Sequence, residues 1–517
     1  MPFFDFHCHP GLKPQFSKPA TKPSPWDDIK ARLAVAKGWT IRINSLFNEV
    51  LNSQSNLTQL FNSKVRMIGV ILHAPEQKIG QVLGEKGIVN KGKITLIDKT
   101  QLAYLTTGVH SYELIKEELR WLTTAVSPIA GAKFKIVKKV SDFDETDQNT
   151  VFGVIIIEGL HCFFDDPFAV EAKEKFTKNF NEFTDANTVV SINICHMQQN
   201  QFCNHAYGIQ LFNPALFYPT GQGITNWGNE VINLMVSKKI LVDIKHMSLK
   251  ARLDLYRMFK LSDPEPKYIQ PLICTHAGTT GLPIIDRVKY IETVPADKGS
   301  VYELVHLKPK SRFYDDVYHN ASSINLYDED IENIFLSEGI IGLSFDQRIL
   351  GFGDDSGLPQ VKVPHDFEYI SHQEATFFFG PTPGNLNVWP NDDNVWSSED
   401  LFDLSQNQDL YPDVHCKFLI NNILHILWVA NKNARIGLKK AAKQICIGTD
   451  FDGLINAIDC CKTADGLQQL KIEMRQELEK GLNKNGFQAL NVDALLDDIF
   501  YNNGKNFMLK RLKEMKG

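Results

Sequence analysis

The chain has 517 residues, 43% of them apolar and 22% charged, with 55 basic against 61 acidic side chains and a net charge of −6. That balance belongs to an ordinary globular protein with a sizeable core, and the lack of a basic surplus argues against a nucleic-acid partner. No apolar run approaches the ~20 residues that span a bilayer, so no membrane partner is expected.

The opening residues read as a strand rather than a signal peptide, which makes the cytoplasm the expected location. Nine cysteines lack CxxC spacing, and Cys8, Cys195, Cys274 and Cys446 lie in apolar, strand-like runs. Buried reduced thiols account for them better than a disulfide framework.

Phe3-Phe4-Asp5-Phe6 forms the first strand and delivers His7 and His9, which project together because residues two apart share a strand face. A Pro- and Lys-rich loop, residues 10–25, precedes a region of helical spacing that runs to about Phe61. The second strand covers 65–72, and 74–147 reads as helices with a polar excursion. The third strand, 151–157, delivers Glu158, and the fourth, 189–195, delivers His196, with a charged helical pattern over 167–182 between them.

A helix over 226–237 leads to the fifth strand, 240–245, which delivers His246. A helix over 249–259 leads to the sixth, 271–275, which delivers His276. Residues 281–323 read as an inserted loop, followed by a helix from Asp328 and a seventh strand at 339–345. A second insertion, about 350–412, is rich in Gly, Pro, Asn, Asp and aromatic residues, and is expected over the mouth as a lid or as an interface element. A helix over 418–431 precedes the eighth strand, 444–449, which delivers Asp450. Eight apolar strands alternating with helices predict one α/β domain over residues 1–517, a (β/α)8 TIM-like barrel with its site at the carboxyl ends of the strands.

His7, His9, Glu158, His246, His276 and Asp450 would then converge on one mouth. Imidazole nitrogens and carboxylate oxygens are the ligands of catalytic zinc, and more than four of them can hold two ions. A shared carboxylate screens the repulsion between two cations roughly 4 Å apart. Two carboxylates cannot neutralise two divalent ions, and the positive surplus lowers the pKa of a bound water.

These stretches resemble the membrane (renal) dipeptidase family of the amidohydrolase superfamily: DFHCH, IIIEG, INICHMQQNQFCNHAYG, GITNWGNEVINLM, LVDIKHMS, PLICTHAG, SINLYDEDI, IGTDFDG and NNGKNF, in that order over nearly the whole chain. The resemblance implies that His7 and His9 bind one zinc, that His246 and His276 bind a second, and that Glu158 bridges them. It further implies that Asp450 is the general base and that His196 polarises the scissile carbonyl. The implied activity is hydrolysis of a dipeptide or related small amide by metal-activated hydroxide. Deacylation of an N-acyl amino acid, lactone hydrolysis and a non-catalytic metal-binding barrel are the alternatives.

The chain departs from the family's pattern at two places. It has His-x-His where the family usually has His-x-Asp, which leaves the first site more positive. The family's substrate-carboxylate Arg, eleven residues after the sixth-strand His, maps to Arg287, whereas the following Asn325-Leu326-Tyr327-Asp328 puts Ile324 at that place. Arg287 and Arg312 are the candidates. Thr279 stands where a deaminase of the superfamily has Glu, which argues against deamination.

Outside the constellation, His73 and His161 are candidates for the layer behind the ligands. His205 and His425 read as structural, Asp452 as a loop-former and Asp243 as an orienter. The insertions are expected to cover the mouth or to form a homodimer interface.

Overall fold

The computed structural model describes residues 2–30, 50–85, 98–167, 169–208, 214–260, 267–291, 295–351, 365–381 and 411–516. In chain order its strands are β1 (Phe3–Cys8), β2 (Val65–Leu72), β3 (Lys133–Ile136), β4 (Thr150–Glu158), β5 (Val189–Asn193), β6 (Leu241–Asp243), β7 (Ile273–Ala277), β8 (Ala296–Asp297), β9 (Val301–Leu307), β10 (Ile340–Leu343), β11 (His365–Ser371) and β12 (Ile445–Ile447). Eight of them pair in the parallel series β1-β2-β4-β5-β6-β7-β10-β12. The series closes on itself. The Asp450 N–H donates to the His7 carbonyl at 2.8 Å, and the His9 N–H donates to the Phe451 carbonyl at 2.9 Å. The expected barrel of parallel strands and covering helices is the observed fold.

Parallel strands covered on both faces need apolar residues at successive positions, and β2 and β4 are buried throughout. Alternate side chains then divide between two cores. Phe4, Phe6, Met67, Phe152, Val154 and Ile156 face inward into one cluster, which Met508 and Leu512 of the helix Asn503–Lys516 join from below. Phe3, Val65, Val151, Ile155 and Ile157 face outward into the larger core beneath the helices. Each such fully buried side chain contributes about 1.5–3 kcal/mol. The helices Asn226–Ser237 and Leu249–Phe259 fall on their predicted bounds, capped by Thr225 and Ser248 side chains.

Two expectations need correction. The polar excursion contains β3, which pairs with Thr150–Gly153 of β4, ahead of the stretch of β4 that meets β5 from Ile155 onward. Residues 281–323 are not simply a loop: they hold a short 3-10 helix, Ile284–Tyr290, and then β8 and β9. β9 pairs antiparallel with β11 from Val301↔Ser371 to Leu307↔His365, so the two insertions join in one three-stranded sheet, β11-β9-β8. Residues 352–364 and 382–410 of the second insertion, and 31–49 of the first helical region, lie outside the described residues. No described helix is long and apolar enough to cross a membrane, and no cysteine is disulfide-bonded.

Candidate metal centre

The strand ends that carry the histidines are bulged, and the bulges aim the side chains. Asp5 pairs with Ile68 and Cys8 with Val70, so β1 has one residue more than β2 over that interval. Phe6 and His7, neighbours in sequence, therefore both turn inward. The Asp5 carboxylate takes up the loosened backbone, accepting from the His7 N–H at 3.1 Å and from the Thr449 N–H and hydroxyl at 2.9 and 2.6 Å. The same device recurs at β7, where Ile341 pairs with Cys274 and Leu343 with Ala277. There Asp243 accepts from the Lys245 N–H at 3.0 Å, from the Thr275 N–H at 3.3 Å and from the Thr275 hydroxyl. His246 and Asp450 both have left-handed backbone, with φ of 68° and 64°, a conformation that costs free energy outside glycine and recurs at functional sites.

Glu158 sits at the centre. Its Oε1 lies 3.4 Å from His7 Nε2, 3.3 Å from His246 Nε2 and 3.8 Å from His276 Nε2, and its Oε2 lies 3.5 Å from His9 Nε2 and 3.8 Å from His196 Nε2. Asp450 Oδ1 is 3.3 Å from His9 Nε2 and 3.7 Å from His7 Nε2, and Oδ2 is 3.9 Å from His276 Nε2. The Nε2 atoms of His7 and His9 are 3.1 Å apart, and those of His246 and His276 are 3.2 Å apart. All seven residues named from the sequence thus meet in one place.

Hydrogen bonds behind the rings fix which nitrogen faces inward. The Thr275 hydroxyl gives its proton to Asp243, so it accepts from His7 Nδ1–H at 2.8 Å, which turns His7 Nε2 toward Glu158. Burial holds His9, His246 and His276 well below the usual histidine range, so they are neutral and their lone pairs are available. For His7 burial also opposes charge, but Glu158 and Asp450 outweigh it and hold its pKa up. Glu158 is held well below the usual carboxylate range: burial works against ionisation, and the surrounding imidazoles, His196 and His7 first, overcome it. Burial pushes Asp450 up to about 7.

Glu158 Oε1 accepts no hydrogen bond, although it is buried. This buried carboxylate oxygen faces three imidazole nitrogens, two of them on rings that burial keeps neutral, across a common space. Three groups in which every ligand atom lies within 4.8 Å of the others overlap there: His7, His9 and Glu158; His7, His276 and Asp450; Glu158, His196 and His246. The donor chemistry fits zinc or a similar divalent ion.

A cavity of about 160 Å³ opens above these residues. Beyond His9, Glu158, His196, His246, His276 and Asp450 it is walled by Leu12, Phe16, Met197, Phe217, Ile324 and Ile349, with Lys245, Asp346 and Arg348 as further polar groups. Arg287 does not line it. Its guanidinium is buried in a neighbouring pocket, where Nη2 donates to Glu368 Oε2 at 3.0 Å between Phe378 and Phe379. Glu368 comes from β11, so the sheet that joins the insertions takes Arg287 as its internal counter-ion. Arg312 lies 3.4 Å over the Trp428 ring. Ile324 does stand in the cavity wall, and the arginine there, Arg348, is clamped through Nε on Asp346 at 2.9 and 3.1 Å.

The sequence left Glu76 unremarked. It lies in the loop after β2, accepts from His196 Nδ1 at 2.5 Å and stands 3.2 Å from His73 Nε2, while His73 Nδ1 donates to the Glu158 carbonyl at 2.9 Å. His73 is thus directly behind the site. His161 faces the Ala74 carbonyl at 2.8 Å, His205 the Phe217 carbonyl at 3.1 Å and His425 the Asp328 carboxylate at 2.9 Å. Asp452 holds the loop after β12, accepting from the Gln54 and Ser55 N–H groups at 2.9 and 2.7 Å.

No protein-family model and no curated protein matches the chain. Among solved structures it is similar to a dipeptidase described as a metallopeptidase of family M19, with 13% identity, a TM-score of 0.47, and 99% of this chain and 98% of that one covered. It is also similar to a metallopeptidase from Rhodobacter sphaeroides liganded with a phosphinate mimic of the dipeptide L-Ala-D-Ala, with 13% identity, a TM-score of 0.46 and 99% of each chain covered. The probable dipeptidase PvdM from Pseudomonas aeruginosa matches with 12% identity and a TM-score of 0.49, over 100% of this chain and 96% of that one.

Proposed function

We propose that the chain is a metal-dependent hydrolase of small amides, dipeptides first among them, working with two zinc ions. The observation that carries this reading is the buried Glu158 carboxylate, around which the Nε2 atoms of His7, His9, His246 and His276 all gather within 3.8 Å. His7 and His9 would hold one ion, His246 and His276 the other, and Glu158 would join them. The ions would supply Lewis acidity, which makes water nucleophilic near neutral pH and draws electron density from an amide carbonyl.

The chain's own groups do the rest. Asp450, at the open side of the cluster, takes the proton from the attacking water and passes it to the leaving amine nitrogen. His196, held through Nδ1 by Glu76, is placed to polarise the carbonyl oxygen as that oxygen gains charge. The apolar wall of Leu12, Phe16, Met197 and Phe217 excludes water and accepts an apolar substituent. That wall also favours a second reading, deacylation of N-acyl amino acids.

Elemental analysis of the purified protein, followed by a panel of dipeptides and N-acyl amino acids with and without zinc, tests the reading. About two metals per chain, with turnover abolished in Asp450→Asn, is the expected result. Absence of metal would overturn it, and metal without turnover of either class would remove the hydrolase assignment.

A further inference from the structure

Lys245 stands between β6 and His246, is 2% exposed, and yet lines the cavity beside His246, His276, Ile324 and Asp450. Among the described residues its ammonium makes no ion pair, and its one hydrogen bond is a 3.5 Å contact with the Ile324 carbonyl. The carboxylates around it are engaged elsewhere: Asp243 with Thr275, Asp346 with Arg348, and Asp450 with His7 and His9. Fully buried lysines are rare unless paired, because taking an ammonium out of water costs several kcal/mol. Lys13, equally buried in this chain, has its counter-ion, Asp452 Oδ1, at 2.7 Å. Among the described residues Lys245 has no such counter-ion, and the cavity it lines carries the apolar side chains of Leu12, Phe16, Met197, Phe217, Ile324 and Ile349.

We infer that Lys245 receives an anionic group of the substrate, so that the cavity selects small amides carrying a free carboxylate together with an apolar side chain. The inference deepens the hydrolase reading, but binding of the carboxylate does not require turnover. In a site this dry a charge-assisted hydrogen bond counts for more than at the surface, and the neutral amide of the same ligand would leave the ammonium unmatched.

The test is calorimetric titration of the zinc-loaded full chain with N-acetyl-L-leucine and with N-acetyl-L-leucinamide, repeated on Lys245→Met and Lys245→Arg. If the protein turns the ligands over, the ratio of kcat/KM values replaces the ratio of affinities. The wild type should prefer the acid by about 10- to 100-fold, Lys245→Met should bring the ratio near one, and Lys245→Arg should keep the acid preferred. A ratio in Lys245→Met equal to the wild type's would overturn the inference and assign the preference to the metal ions. An equal loss for both ligands would also overturn it, since Lys245 would then serve the carbonyl or the fold. Should Lys245→Met not fold, a wild type without acid preference, or Lys245→Arg without it, remains decisive against the inference. Failure of the hydrolase reading is a separate result, namely no cleavage of any amide by the metal-loaded chain.

Discussion

His73, Glu76 and His196 form a hydrogen-bonded chain behind the histidine and carboxylate cluster, and it fixes how His196 is held. Burial opposes a charge on His73, but Glu76 first, and then Glu158, outweigh it and raise its pKa to about 9. The same two imidazoles hold Glu76 well below the usual carboxylate range in spite of its burial. Glu76→Gln keeps the shape and removes the carboxylate that His196 Nδ1 and His73 Nε2 both face. The expected outcome is a fall in kcat of about 10- to 100-fold with metal content unchanged, measured by steady-state kinetics beside elemental analysis. Glu76 was illegible in the sequence because it follows the strand by several residues, in a loop whose path no periodicity reveals. The seven residues that could be read sit where an apolar strand stops, which marks them by position. Arg287 shows the limit of spacing: once an insertion carries the chain away, an interval counted from His276 no longer measures distance.

At the scale of elements, strands and simple helices were legible because their periodicity is local, whereas the joining of two insertions was not. β9 and β11 are separated by the whole of β10 and its helix, and neither can be recognised as the other's partner from composition. The bulges at β1 and β7 were hidden for a similar reason. His7 and His9 do share a face, as strand alternation requires, but it is the extra residue after Asp5 that turns that face inward. The loop after β12 is held to the loop after β1 by the buried pair Lys13–Asp452 at 2.7 Å. Asp452→Ala would strand the ammonium and free the Gln54 and Ser55 amides, so a loss of about 3–5 kcal/mol is expected in urea unfolding. Lys13→Met/Asp452→Ala, which removes both charges, should recover part of that loss.

For the molecule as a whole, buried acids shape the response to pH. Burial pushes Glu118, on the helix Ser111–Thr124, up to about 8, against the 4.5 of an exposed carboxyl. Between those values the folded state holds a proton that the unfolded chain has released, so stability falls as pH rises from about 4.5 to 8 and is unaffected by this group below that window. The fall is about 1.4 kcal/mol per pH unit crossed. Glu118→Gln should flatten the stability difference between pH 5 and pH 8, measured by urea unfolding at both. The closure of the barrel has a consequence of another kind. Asp5 and Thr449, joined at the seam, are 444 residues apart, and a ribosome adding about 5–20 residues per second needs roughly 20–90 s to make the second after the first. Through that interval the first strand has one neighbour and a bare edge, and its two histidines have Glu158 but not yet Asp450 to face. Completion of the histidine and carboxylate cluster therefore comes late in synthesis, and the nascent chain depends on its outward-facing core to keep that edge from pairing with another chain.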